Sequence, residues 1–95
     1  MGLLNHFNLS EYPDKSPVFV ETGTANGDSL SYAAKYQFDH LYSIEIDPTC
    51  ACNAAKRFED DERVMVLCGP SSSVLPKIIY KHKDPIVFWL DAHFP

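Results

Sequence analysis

The sequence predicts an α/β fold, a parallel sheet of about four strands lying between helices as a three-layer sandwich. Two observations carry that prediction. Apolar runs of strand length alternate with segments of helical period along the 95-residue chain. The last of these runs, Ile86, Val87, Phe88, Trp89 and Leu90, is apolar on both faces, as befits a strand buried in a parallel sheet. A content of 45% hydrophobic and 13% aromatic residues supplies a core for one small domain.

Taken in order, residues 1–16 read as an N-terminal extension that packs loosely or as a helical arm, and residues 17–95 as the folded unit. Residues 17–21 are rich in β-formers and end in Glu21, ahead of a glycine-containing loop at 22–27. Asp28 stands where a helix cap belongs, and Leu30, Ala33 and Ala34 mark the inner face of a helix ending near Tyr36. A second strand spans 41–46. Asp47 followed by Pro48 starts the next helix, because aspartate caps and proline suits the first helical position. Ala51, Ala54, Ala55 and Phe58 give that helix a narrow stripe for packing on a sheet. The acidic run 59–62 reads as a solvated loop. Residues 64–68 form the third strand, and Ser71, Ser72 and Ser73 offer caps for a helix burying Val74, Leu75, Ile78 and Ile79. Pro76 fits that helix only within about the first turn. Residues 86–90 are the fourth strand.

Composition removes several function classes. Thirteen acidic and eight basic residues give a net charge of −5, and the only basic cluster is Lys77, Lys81 and Lys83, so nucleic acid is not an expected partner. No apolar run approaches the ~20 residues of a membrane span, and no secretory leader pattern opens the chain. Cys50, Cys52 and Cys68 are odd in number and lack a C-x-x-C pair, which fits reduced thiols in a cytoplasmic protein better than a disulfide or zinc framework.

Each strand ends in a polar feature: Glu21 with the glycine loop, Glu45 with Asp47, Gly69 with the serines, and Asp91 with His93. Ligands of open parallel sheets bind beyond these carboxyl ends, where strand order reverses. Gly23, Ala25 and Gly27 are spaced G-x-A-x-G, which lets backbone approach a ligand and also suits a plain strand-to-helix turn. Glu45 lies at a strand end about twenty residues after the loop, where an acidic side chain accepts the hydroxyls of an adenosine ribose. Asp91 and His93 are two apart, so in extended chain both face one side and can share a divalent ion, act on a substrate, or end a strand.

Residues 18–27, the stretch Ile44 to Ala51, residues 66–76 and Phe88-Trp89-Leu90-Asp91 together resemble the class I S-adenosylmethionine-dependent methyltransferases, and within them the catechol O-methyltransferase group. The resemblance implies a Rossmann-like sheet in the order 3-2-1-4. It implies S-adenosylmethionine as cofactor, with Glu21, Gly23, Thr24, Ala25 and Gly27 along its methionyl part and Glu45 on the ribose. Ile46 would pack on the adenine, with Ser71 and Ser72 at the adenine edge. It gives Asp91 the catalytic position, with Asp91 and His93 as ligands for a metal such as Mg²⁺. Ala25 replaces the middle glycine of the usual loop, which is harmless if φ stays negative there. Further strands would lie beyond Pro95, so the chain corresponds to the cofactor-binding half.

The expected function is methyl transfer, to oxygen of a small-molecule acceptor. The alternative is a non-catalytic S-adenosylmethionine-binding remnant or interaction module. A dinucleotide-binding domain lacks its G-x-G-x-x-G spacing. Gly27-Asp28-Ser29-Leu30 spells the GDSL of a hydrolase family with Ser29 as nucleophile, but helix capping by Asp28 explains it without chemistry. With no strand after the fourth, residues 86–90 would be an exposed edge bearing Val87, Phe88 and Trp89. That edge calls for a homodimer or a partner chain.

Overall fold

The computed structural model describes residues 8–10, 14, 17–25 and 27–90. Most of the N-terminal extension lies outside the described residues, and so do Asp91 and His93. Four strands, β1 (Val18–Thr22), β2 (His40–Glu45), β3 (Val64–Cys68) and β4 (Ile86–Leu90), alternate with helices α1 (Asp28–Ala33), α2 (Pro48–Arg57) and α3 (Ser71–Lys81). All pairings are parallel, and the order is β3-β2-β1-β4. The α/β architecture and the strand order are those expected from the sequence.

Right-handed crossovers dictate the layers. The chain steps one way from β1 to β2 to β3, then α3 carries it back past β1 to β4. Accordingly α1 and α2 cover one face and α3 the other. On the first face Phe19 and Leu41 meet Leu30, Ala33 and Phe38, with Leu9 of the N-terminal segment buried among them. On the second, Val18, Val20, Tyr42 and Ile44 meet Ile78, with Val74 and Leu75 beside it. The two central strands are buried throughout except at His40. Truncating a fully buried aromatic such as Phe19 or Phe38 should cost about 3–5 kcal/mol.

Local details depart from the sequence reading. The cap of α1 is Gly27, at φ 92°, and not Asp28, which lies in the first turn and pairs with Arg57 at 3.2 Å. Asp47 does cap α2, accepting the Thr49 N–H at 2.9 Å, but Ala55 faces solvent because only Ala51 and Ala54 point at the sheet. Pro76 sits in the second turn of α3. The bond it cannot donate would go to the Ser72 carbonyl, and both residues face water, so the loss is tolerated. Ile79 is half exposed for the same rotational reason: Ile78 takes the inward position. In β4, Val87 and Trp89 pack against the first core, whereas Phe88 and Leu90 point outward at 41% and 68% exposure. This strand is an edge among the described residues. Its second face is not buried, because α3 packs over the centre of the sheet.

Two tertiary ties hold the ends of the helices. Tyr42 Oη is hydrogen-bonded to His82 Nε2 just past the end of α3. Burial foremost, then the nearby His40 and Lys81, lower the His82 pKa, which favours the neutral ring. The stronger tie is Arg63. The acidic run before it is not simply solvated, because Asp61 receives the Arg63 guanidinium at 2.7 and 3.0 Å. The same guanidinium donates to the carbonyls of Ala34 and Tyr36 at 2.8 Å each, and to that of Phe38 at 3.3 Å. Ala34 caps α1 and the other two residues follow it, so the guanidinium sits at the trailing end of the helix, where a cation suits the carbonyls. The Arg63 hydrogen bonds hold the Asp61 carboxyl below its ordinary pKa.

Arg63→Ala should therefore lower stability by about 2–3 kcal/mol at neutral pH, since it strips several charged hydrogen bonds from partly buried groups. Asp61 has a lowered native pKa, so its contribution is present above the unfolded carboxylate value of about 3.9 and is lost as pH falls through the native value. Urea titrations from about pH 5 to pH 2 should show the gap between wild type and Arg63→Ala narrowing.

Candidate functional site

The carboxyl ends of β1, β2 and β3 converge, and the last three residues of β2 hold them together. The loop after β1 needs a backbone that L-residues resist. Gly23 has φ 81° and Gly27 φ 92°, both natural for glycine. The Gly23 N–H donates to the Ile44 carbonyl at 2.8 Å, and the Gly27 N–H to the Thr24 carbonyl at 2.9 Å. Between them Ala25 sits at φ 50°. The condition for a harmless alanine, a negative φ, is thus not met. A left-handed alanine costs about 1–2 kcal/mol, and the loop accepts it because the Ala25 N–H donates to Glu45 Oε1 at 2.9 Å.

Glu45 is the centre of this arrangement. Its Oε2 accepts the Asp47 N–H at 2.9 Å, and its main-chain carbonyl accepts the Gly69 N–H at 2.9 Å. One residue thereby touches the loops that follow β1, β2 and β3. Its side chain is largely buried, yet each carboxylate oxygen keeps a second lone pair for a further donor. Next to it, Ile46 is 69% exposed, an uncovered apolar surface directly beside a carboxylate. Ser71, at the start of α3, is buried, and Ser72 is exposed.

Beneath the loop lies a polar chain. Glu21 is 1% exposed and pairs in register with Ser43, whose hydroxyl donates to Glu21 Oε2 at 2.6 Å. Thr24 Oγ1 in turn binds Ser43 Oγ. The structure thus brings Glu21, Thr24, Ala25 and Glu45 into one connected set. Gly27 joins it through its N–H on the Thr24 carbonyl, and a Cβ there would lie 3.0 Å from the Phe58 ring, so its smallness serves packing against the end of α2.

Sequence reasoning missed Ser43, although a lone hydroxyl between Tyr42 and Ile44 on a buried strand signals a partner. It missed Arg63 as well, which no motif marks.

Other candidates fare differently. Asp91 and His93 lie outside the described residues, and among the described residues no group of three or more His, Cys, Asp or Glu could hold a metal. Burial first, then the carboxylates of Asp47 and Glu45, push the Cys50 thiol up and keep it protonated, which suits neither a nucleophile nor a metal ligand. Ser29 is half-buried on the first turn of α1, with its neighbour Asp28 engaged by Arg57. A cleft of about 610 Å³ opens before β3, lined by residues that include Phe58, Asp61 and Arg63. It lies away from the carboxyl ends of the strands, and Asp61 and Arg63 are already bound to each other. No helix among the described residues is long and apolar enough to cross a membrane. Compared with models of known protein families the chain matches none, and no curated protein matches it.

Backbone strain in the loop is open to direct test. Ala25→Gly should raise stability by about 0.5–1 kcal/mol by relieving the left-handed alanine, whereas Gly27→Ala should lower it by about 1–3 kcal/mol through φ and the Phe58 contact. Thermal unfolding of the two variants reads both signs.

Proposed function

We propose that this chain is the cofactor-binding part of an S-adenosylmethionine-dependent methyltransferase. The observation that carries the reading is Glu45, a carboxylate at the carboxyl end of β2 joined to a tight small-residue loop. That loop follows β1, which borders the point where strand order reverses between β1 and β4. A ribose diol would take the two remaining lone pairs of its oxygens. Ile46 offers an apolar face to the adenine, with Ser71 and Ser72 near its edge. The loop from Gly23 to Gly27 would run along the methionyl part, with Thr24 and Glu21 beneath.

The cofactor brings an already activated methyl group, so the protein's task is to align acceptor oxygen, methyl and sulfur in line. The acceptor is proposed to be a small molecule. Asp91 is the residue proposed to act beside the methyl group, alone or with His93 around a divalent ion. A second reading keeps cofactor binding and drops turnover. It is favoured by the extent to which Glu45 and Ser43 serve the loop itself, a role that survives without catalysis.

Calorimetric titration with S-adenosylhomocysteine and with NAD⁺ tests the reading. S-adenosylhomocysteine should bind and NAD⁺ should not. Glu45→Ala should weaken binding by about 2–3 kcal/mol, roughly 30- to 150-fold, as two charged hydrogen bonds are lost. Binding of NAD⁺ alone would replace this reading with a dinucleotide site, and a methyl-transfer assay separates catalysis from binding.

Assembly is part of the proposal. Among the described strands β4 pairs with β1 alone, with Phe88 and Leu90 exposed and no lysine or proline within it. A homodimer joined along this edge is expected. Sedimentation velocity at micromolar concentration should show a dimer that Phe88→Lys converts to monomer. A monomeric wild type would refute the edge pairing.

A further inference from the structure

Three ring side chains meet at the amino-terminal end of the sheet, opposite the candidate site. His40 opens β2, Tyr42 follows two residues later on the same face, and His82 caps the end of α3. The His40 ring stacks on Tyr42 with centroids 6.2 Å apart, and the His82 ring lies 5.0 Å from His40 and 5.3 Å from Tyr42. The Tyr42 hydroxyl and His82 Nε2 are hydrogen-bonded.

That bond suits a neutral imidazole. Burial raises the Tyr42 pKa, so the phenol keeps its proton and donates it to Nε2. A protonated ring carries N–H at both nitrogens and accepts nothing. The phenol, in a residue only 5% exposed, would then have to turn its proton away, with no other hydrogen-bond partner among the described residues. Charge adds to the conflict, because two imidazolium rings this close repel each other. Burial, His40 and Lys81 oppose a charged His82, while Asp84 and the helix end favour one, and the first set prevails. Tyr42 and His82 tie a helix of which only Ser71, at its start, and Ile78, near its end, are fully buried. The His82 N–H closes the last turn on the Ile78 carbonyl at 3.2 Å.

We infer that His40, Tyr42 and His82 form an acid-sensitive latch, in which protonation of the imidazoles undocks the last turn of α3 from β2 while the opposite end of the sheet, tied by Glu45, stays closed. The latch is independent of the cofactor reading. A histidine whose native pKa is lowered contributes stability that is complete above its unfolded value of about 6.5 and is lost as pH falls through the native value. The latch therefore holds at neutral pH and weakens on mild acidification, before Asp61, with its lowered pKa, takes up a proton.

Amide hydrogen exchange on the full chain, corrected to protection factors, reads the latch residue by residue. Between about pH 7.5 and about pH 5, the range in which histidine charges, protection at residues 79–82 should fall roughly three- to tenfold, the worth of one hydrogen bond. At both values it should stay below that of Ile44, as an opening short of global unfolding requires. His82→Gln, whose side-chain oxygen can still accept from Tyr42 but takes up no proton, should hold its protection across the same range. His40→Gln removes the second charge and should lose less than wild type. Unchanged protection in wild type overturns the latch, as does a fall in His82→Gln equal to that of wild type. Protection at residues 79–82 equal to that of Ile44 overturns it too, since the cluster would then act only on global stability. If His82→Gln does not fold, His40→Gln at its exposed position carries the comparison, and an undiminished fall there refutes the inference.

Discussion

Glu45 joins the ends of three strands, and much of what the chain can do depends on that. Its two carboxylate oxygens receive the Ala25 and Asp47 N–H groups, and its carbonyl receives Gly69. Main-chain N–H groups in a strand-end loop have no ladder to join and must be paired elsewhere. Here one side chain and one carbonyl satisfy them, which fixes the loops that surround the candidate site. The two bonds that end on the carboxylate, from Ala25 and Asp47, are stronger than their neutral counterparts. That strength offsets the left-handed conformation of Ala25.

The opposite end of the same crossover is held by a cation. Arg63 gathers the carbonyls of Ala34, Tyr36 and Phe38 where α1 gives way to β2, and Asp61 fixes its plane. A short helix of six residues has little stability of its own. It persists because Leu30 and Ala33 are buried against the sheet and its trailing carbonyls are answered. The crossover from β1 to β2 is thus clamped by an acid at the carboxyl ends of the strands and by a base at the other end.

This division bears on function. The two buried acids near the loop, Glu21 and Glu45, differ in what they face. Glu45 stands beside an exposed apolar residue and keeps acceptor capacity toward the surface. Glu21 lies under the loop and addresses Ser43.

The order of strands and helices was legible in the sequence, because burial imposes a period of two or of 3.6 and the turn residues punctuate it. So was the location of Glu45 at a strand end, which needs only the length of the strand. Chain-local chemistry also told the cap of α2 correctly, since Asp47 and Pro48 act on their own helix. The tertiary structure alone decided matters that depend on which segments meet. Arg63 reaches back nearly thirty residues to Ala34, and Ser43 reaches Glu21 across a strand pairing, so neither leaves a local pattern. The sign of φ at Ala25 follows from the position of Glu45, and the exposure of Phe88 and Leu90 from where α3 lands on the sheet. Propensity acts over a few neighbouring residues, whereas these features are set by contacts between strands and helices that are distant along the chain.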